Sequence, residues 1–406
     1  MTSSRNYICS ERAHFMCPNM HFGIMAQIGK TYNAKQVSHS VNTLQSAHPF
    51  LQSLVTEEDG TGRFYYQRQN CLKISVEEKA ECDLWQHDYE QISSRGWDVR
   101  KEGLLKILVY PKERGFCILF IAHHLLCDGR GLLQLAEEFA QHYVHAIKPQ
   151  YVEEQLIRSL QDFPENSDLP LLSKLIIGHA NKSWKKEQHC VRYENYAAFE
   201  QYYIRKNHIE REIITVENDK LEKLHNLCRQ QGISINDFLI ADMMIKDGVN
   251  KVVIAADIRN QITCYRPGAL GNYSTAFSIV VHKKDDDQML LAKRIARKVA
   301  DIMKHPRKAM LVLACYLYME PELIDAVAIA TLGDFESRAG KFVGTNMFGY
   351  GSQNGYSITN LGRIQSDAIE EAAFIPPASP ANRKTLGVLT VNGSMKICTV
   401  VRSSLE

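Results

Sequence analysis

The stretch Ile118-Leu119-Phe120-Ile121-Ala122-His123-His124-Leu125-Leu126-Cys127-Asp128-Gly129 constrains this chain more than any other. A short apolar run bounded by polar residues fits a strand covered on both faces. Asp-Gly then breaks regular structure, because glycine adopts backbone angles that other residues avoid. Further on, Leu132, Leu135, Ala136, Phe139, Ala140 and Tyr143 recur at helical spacing as one apolar stripe. The pattern predicts a buried strand, an abrupt turn carrying two histidines, and an amphipathic helix packed back on the same sheet. Chemistry is expected at that strand end.

With 406 residues the chain exceeds one ordinary core, so two domains or one fold with two lobes are expected. Lys+Arg 48 against Asp+Glu 46 leaves a net charge of +2, so no global field recommends nucleic acid or an anionic membrane as the main partner. The partner is expected to be small, or a locally charged protein. The 11 cysteines are scattered from Cys9 to Cys398 without a Cys-x-x-Cys pair, which argues against a disulfide scaffold or zinc knuckle and for a reducing cytosol. Met1 to Met25 interleaves Arg5, Glu11, Arg12 and His14 with its apolar residues, unlike a signal peptide. Ala309 to Met319 has about half the length of a membrane span. A cytoplasmic protein without a membrane span is expected.

Along the chain, residues 20–29 read as a strand, and Asn33-Ala34-Lys35-Gln36 opens a helix with Val37, Val41 and Leu44 on one face. Phe64 to Gln67 and Leu72 to Val76 are short strands, set apart by the turn-forming Glu57-Glu58-Asp59-Gly60 and by Gln69-Asn70. Leu104 to Tyr110 stops at Pro111 and forms a hairpin with the histidine strand through Lys112-Glu113-Arg114-Gly115. Residues 161–170 and 181–190 carry loop signals, which divides the chain into an N-terminal lobe 1–165, a linker 166–190 and a C-terminal lobe 191–406. In the second lobe, strands are expected at Ile209–Val216, Lys251–Asp257, Ser274–His282, 354–364, 385–391 and 394–402. Helices are expected after Ser234, which forms a capping box with Asp237, after Asp285-Asp286-Asp287, and at Pro321. Strands and helices alternating twice over predict two similar α/β sandwiches.

On an extended strand successive side chains point to opposite faces, so His123 and His124 cannot share one ligand. A two-histidine metal site is thereby disfavoured, and nothing else in the chain has metal-ligand spacing. One histidine faces the chemistry and the other is structural, but alternation does not say which.

His123-His124-x-x-x-Asp128-Gly129 resembles the HHxxxDG motif of the CoA-dependent acyltransferase superfamily, which includes nonribosomal condensation domains, chloramphenicol acetyltransferase and alcohol acetyltransferases. The resemblance extends to Gln45-Ser46-Ala47-His48-Pro49-Phe50-Leu51, to Asp257-Ile258-Arg259 followed by Gly271-Asn272-Tyr273, and to Ser357-Ile358-Thr359-Asn360-Leu361-Gly362. The DFGWG motif of the plant members is absent, with only Phe348-Gly349-Tyr350-Gly351 loosely similar, so plant-type membership is not implied.

The resemblance implies an α/β fold of two chloramphenicol-acetyltransferase-like lobes, a pseudo-dimer within one chain with a tunnel between them, needing no second copy to complete its site. It makes His124 the general base and gives the Gly129 N–H a developing oxyanion to stabilise. His123 and Asp128 become structural, with Arg259 as partner of Asp128, while Ser357, Thr359 and Asn360 are candidates to line the channel. The donor it implies is a pantetheine thioester, from acyl-CoA or from an acyl or peptidyl carrier protein in trans, the acceptor is an alcohol or amine, and no cofactor is bound.

Plainer readings stand beside these. Cys127 is an inert buried thiol, and His14 and His21 carry no motif and read as packing or loop residues. Lys293, Arg294, Arg297, Lys298, Lys304, Arg307 and Lys308 form a solvated face that is also able to meet a CoA phosphate or an acidic carrier protein. A non-catalytic module recruiting a carrier or synthetase, and related chemistry such as cyclisation or thioester hydrolysis, are the rival functions.

Overall fold

The computed structural model describes residues 5–58, 60–282 and 287–405. Asp285 and Asp286 of the acidic run, and Asp59 of the expected turn, lie outside them. The strand Phe116–His123 is central in a five-stranded sheet ordered Glu371–Ile375, His21–Ile28, Phe116–His123, Leu105–Pro111, Ser75–Glu78. Every residue of Phe116–His123 is buried, as a continuous apolar run requires. It pairs antiparallel with His21–Ile28, from His21↔His123 to Ile28↔Phe116, and with Leu105–Pro111 across the expected hairpin. The helix Gly129–His145 buries its predicted stripe against this sheet beside the helix Ala34–Ala47, whose N-cap Asn33 accepts the Gln36 N–H at 3.0 Å. The strand expected at Leu72 to Val76 is shifted to Ser75–Glu78, because Leu72 is held in a turn by the Gln69 carbonyl. A separate three-stranded sheet joins Arg5–Tyr7, Phe64–Arg68 and Ser53–Glu57.

The second lobe holds a six-stranded sheet ordered Ser274–Val280, Lys251–Asp257, Gly355–Ile364, Asn382–Val391, Ser394–Ser404, Asn207–Val216. Gly355–Ile364 runs parallel to both neighbours and the remaining pairs are antiparallel. The helices Ile235–Lys246 and Gln288–Lys304 close a core of Ile240, Val252, Ile254, Ala292, Ile295, Ile358 and Val388 on one face of it. The capping box of Ser234 and Asp237 forms, and Asp287 caps Gln288–Lys304.

Sequence order and lobe do not coincide throughout. Glu371–Ile375 lies between two strands of the second sheet, yet pairs with His21–Ile28 of the first, from Glu371↔Gln27 to Ile375↔Gly23. Its last four residues are buried, and it covers an edge that would otherwise present unpaired backbone groups. The close approach depends on Gly387, where a Cβ would lie 2.5 Å from the Pro376 Cδ and 2.9 Å from the Phe374 carbonyl oxygen. Most of the interval 166–190 is the helix Leu171–Glu187, entered through Pro170, a position where the missing N–H costs nothing. One apolar core runs across the lobes, from Phe120 and Phe139 through Tyr273 and Val327 to Phe374.

Candidate active site

The end of Phe116–His123 sends its two histidines into different surroundings. His123 is buried, and its Nδ1 accepts the Leu125 N–H at 3.2 Å. Its ring meets Trp97 edge-on with centroids 6.0 Å apart. Burial, followed by His21 and His124, pushes its pKa well below the usual imidazole value. His123 is therefore a neutral ring built into the turn.

His124 is half-buried, and its N–H is held by the Met20 carbonyl at 2.8 Å. Its Nδ1 lies 2.8 Å from Oδ1 of Asn272, and Nδ2 of Asn272 donates to the His124 carbonyl at 2.7 Å. The second bond fixes the amide orientation, so Oδ1 accepts the proton of Nδ1 and the lone pair is left on Nε2. Burial lowers the pKa of His124, while Asn272 and the Asp128 charge pull the other way without cancelling it. The result is a neutral imidazole with a defined tautomer at neutral pH.

Asp128 is buried and fully engaged. Oδ1 accepts from Nη2 of Arg259 at 2.7 Å and from the Gly131 N–H at 2.9 Å, and Oδ2 accepts the Tyr273 N–H at 2.8 Å. Burial alone would raise its carboxyl pKa, but the Arg259 guanidinium and the two backbone donors hold it below the usual range. Arg259 in turn meets Asp257 through Nη1 at 3.1 Å. Asp128 is also the N-cap of Gly129–His145. Gly129, the first residue of that helix, has no intrahelical acceptor for its N–H. A Cβ on Gly129 would lie 2.7 Å from Leu361 Cδ2 and 3.3 Å from Phe374 Cζ, so residues of the second half of the chain are packed directly on the turn.

The remaining candidates fall elsewhere. Ser357 is buried in a polar cluster with Thr385 and Asn382, at 2.9 and 2.8 Å. Oδ1 of Asn360 accepts the Gly362 N–H at 2.8 Å. Cys127 is enclosed, and burial raises its thiol pKa well above the usual value. A cavity of about 760 Å³ opens between the lobes, lined by His14, Met20, Tyr316, Phe348, Tyr350 and Tyr356, with Lys251 and Lys308 among its polar walls. His124, Gly129, Ser357, Thr359 and Asn360 are not on that lining, and His124 is next to it through His14. Sequence reasoning gave no role to Asn272, although it lies in the Gly271-Asn272-Tyr273 segment already singled out. His14, expected as a packing or loop residue, packs its ring on His124. Among the described residues, no helix is long and apolar enough to cross a membrane, and no group of three or more His, Cys, Asp and Glu side chains is arranged to hold a metal ion.

Comparison with known proteins places this geometry in context. Residues 19–246 match the condensation-domain family. Over 153 residues, 35% of this chain, the sequence is 29% identical to surfactin synthase subunit 2 of Bacillus subtilis (strain 168), of whose length the match spans only 4%. The fold is similar to the condensation domain of the Monacolin K polyketide synthase MokA, with a TM-score of 0.62 and 10% identity over 98% of this chain and 92% of that one. It is also similar to polyketide synthase associated protein 5 of Mycobacterium tuberculosis, with a TM-score of 0.59 and 14% identity over 98% and 92%. At such identities the likeness is one of fold.

Proposed function

The chain belongs to the condensation-domain family, and from that premise we propose that it is an acyltransferase in which His124 is the general base. Nε2 of His124 takes the proton of an acceptor hydroxyl or amine as the acceptor oxygen or nitrogen bonds to a thioester carbonyl carbon. The carbonyl becomes an oxyanion, favoured by the Gly129 N–H and the positive end of the helix Gly129–His145. The oxyanion collapses, the C–S bond breaks, and the departing thiolate receives the proton from Nε2. The products are an ester or amide and a free thiol.

The observation that carries this reading is the pair of hydrogen bonds between His124 and Asn272. They leave Nε2 as the basic atom of the motif histidine that is half-buried, His123 being buried. Asp128 has no free acceptor oxygen to relay a proton, and its role is to fix the turn through Arg259. The donor is a pantetheine thioester, acyl-CoA or an acyl or peptidyl carrier protein in trans. Lys251 on the cavity wall, where Lys308 is paired with Asp301 at 2.6 Å, and exposed Lys298, Lys304 and Arg307 nearby in sequence suit an anionic donor. The cysteines, all free thiols, suit a reducing cytoplasm.

The test is thioester consumption over a panel of acyl-CoAs and acyl-carrier proteins with alcohol and amine acceptors, products being read by mass spectrometry. Turnover by the wild type that is lost in His124→Ala is expected. Equal, background-level rates for both proteins with every pair would sink the catalytic reading and leave recruitment of a carrier or synthetase, measured by a pull-down indifferent to His124→Ala.

A further inference from the structure

His14 carries no motif and lies far from His124 in the chain, yet the two imidazoles are stacked, with ring centroids 4.1 Å apart and planes 16° from parallel. Phe22 is a second ring against His124, 5.0 Å away and tilted by 56°. His14 is delivered by the short helix Arg12–Phe15, and that helix is held firmly. The buried Arg12 donates to Asp325 from Nε at 2.9 Å and from Nη2 at 2.7 Å, and to the Gly62 carbonyl at 2.6 Å. Phe15 packs on Phe64 with centroids 4.7 Å apart.

Two further observations separate this ring from ordinary filler. His14 lines the inter-lobe cavity, so cavity and base meet through it. Its Nδ1 is enclosed and has no hydrogen-bond partner, a loss of stability that an apolar side chain of the same size would avoid. Burial, followed by the neighbouring His124 and His123, holds its pKa well below the usual value, so it stays neutral. A neutral aromatic face stabilises a cation stacked on it, whereas a second charge at this distance would oppose the first.

We propose that His14 is the positioning residue of His124: its ring holds the base in plane beside the cavity, and its π face supports the positive charge that His124 gains on removing the acceptor proton. The proposal rests on the reading of His124 as general base. The proton path is unchanged, from acceptor to Nε2 of His124 and on to the thiolate, and His14 takes no proton. The other groups set against His124 are Asn272, Phe22, Asp128 and His123.

The experiment compares His14→Phe, which keeps an aromatic face, with His14→Leu, which fills similar space without one. Nitrogen-15 NMR of the intact protein reads the titration midpoint of His124 without any substrate, and steady-state assays read kcat and KM for a thioester. The expected result is a His124 midpoint lower in His14→Leu than in His14→Phe by roughly 0.4 to 1.5 pH units. With it goes a kcat lower by roughly 2- to 30-fold at similar KM. Equal midpoints and equal kcat in the two variants overturn the proposal. Should the Leu variant not fold, His14→Met is read in its place with the same expectation. A wild type that turns over no thioester defeats the proposed function, while the midpoint comparison still decides the role of His14.

Discussion

His124 is held from two sides by arginine–carboxylate pairs that look alike and behave differently. On the second-lobe side, Asp128 and Arg259 have side chains 4% and 10% exposed, and Asp128 also binds two backbone N–H groups. On the N-terminal side, Arg12 and Asp325 are 0% and 2% exposed, and Asp325 accepts from Arg12 at both oxygens. The first pair is woven into the backbone of the turn after Phe116–His123, so disturbing it is expected to move His124, Gly129 and Asn272 together. The second anchors one short helix and reaches the site through the His14 ring. Burial and distance do not distinguish the two pairs; what else the carboxylate binds does.

Substitutions at the two carboxylates separate their roles. Asp128→Ala leaves the buried Arg259 with only the more exposed Asp257 and uncaps Gly129–His145, so a stability loss of about 3 to 5 kcal/mol is expected in urea unfolding. Asp325→Ala is expected to cost a similar about 3 to 5 kcal/mol. At temperatures chosen for equal folded fractions, however, only Asp128→Ala should abolish turnover. Equal residual turnover in the two would erase the distinction. Gly129→Ala drives a Cβ to 2.7 Å from Leu361, and a loss of about 1 to 3 kcal/mol is expected, visible as a lowered melting temperature.

Two smaller effects sharpen the second-lobe side. Asn272→Ala removes the acceptor of the Nδ1 proton, freeing the other tautomer, and kcat is expected to fall by roughly tenfold with the fold intact, since one hydrogen bond to the base is worth about 1 to 2 kcal/mol. The pH–rate profile carries the smallest effect. Because burial lowers the His124 pKa from 6.5, its basic form persists as pH falls, and the acid limb of kcat should have its midpoint below 6.5. In Asn272→Ala that midpoint should fall further, since Asn272 raises the pKa in the wild type. An acid limb above 6.5 in the wild type would contradict both the environment of His124 and its role.

What was legible in the sequence follows contact range. The strand, turn and helix around His123 and His124 were readable because period-two and period-3.6 patterning are local, and so was the capping box of Ser234 and Asp237. The pairing of Arg259 with Asp128, given by the family resemblance, is the geometry observed. Glu371–Ile375 went unrecognised: it is short, lacks alternation, and owes its place to an edge of the other lobe's sheet. The helix Leu171–Glu187 was hidden by its flanking prolines and by leucines that face solvent, Leu171 at 74% exposure among them. His14 and Asn272 show the limit most clearly. Each is an ordinary residue until the chain brings it onto His124, across 148 positions in the case of Asn272.

The central claim is that Nε2 of His124 removes the acceptor proton. It is tested most directly by single-turnover rates of wild type and His124→Ala with the best thioester and acceptor found. A fall of about 10²- to 10⁴-fold in His124→Ala is expected, with the folded structure retained. A folded His124→Ala protein that transfers the acyl group at the wild-type rate would contradict it.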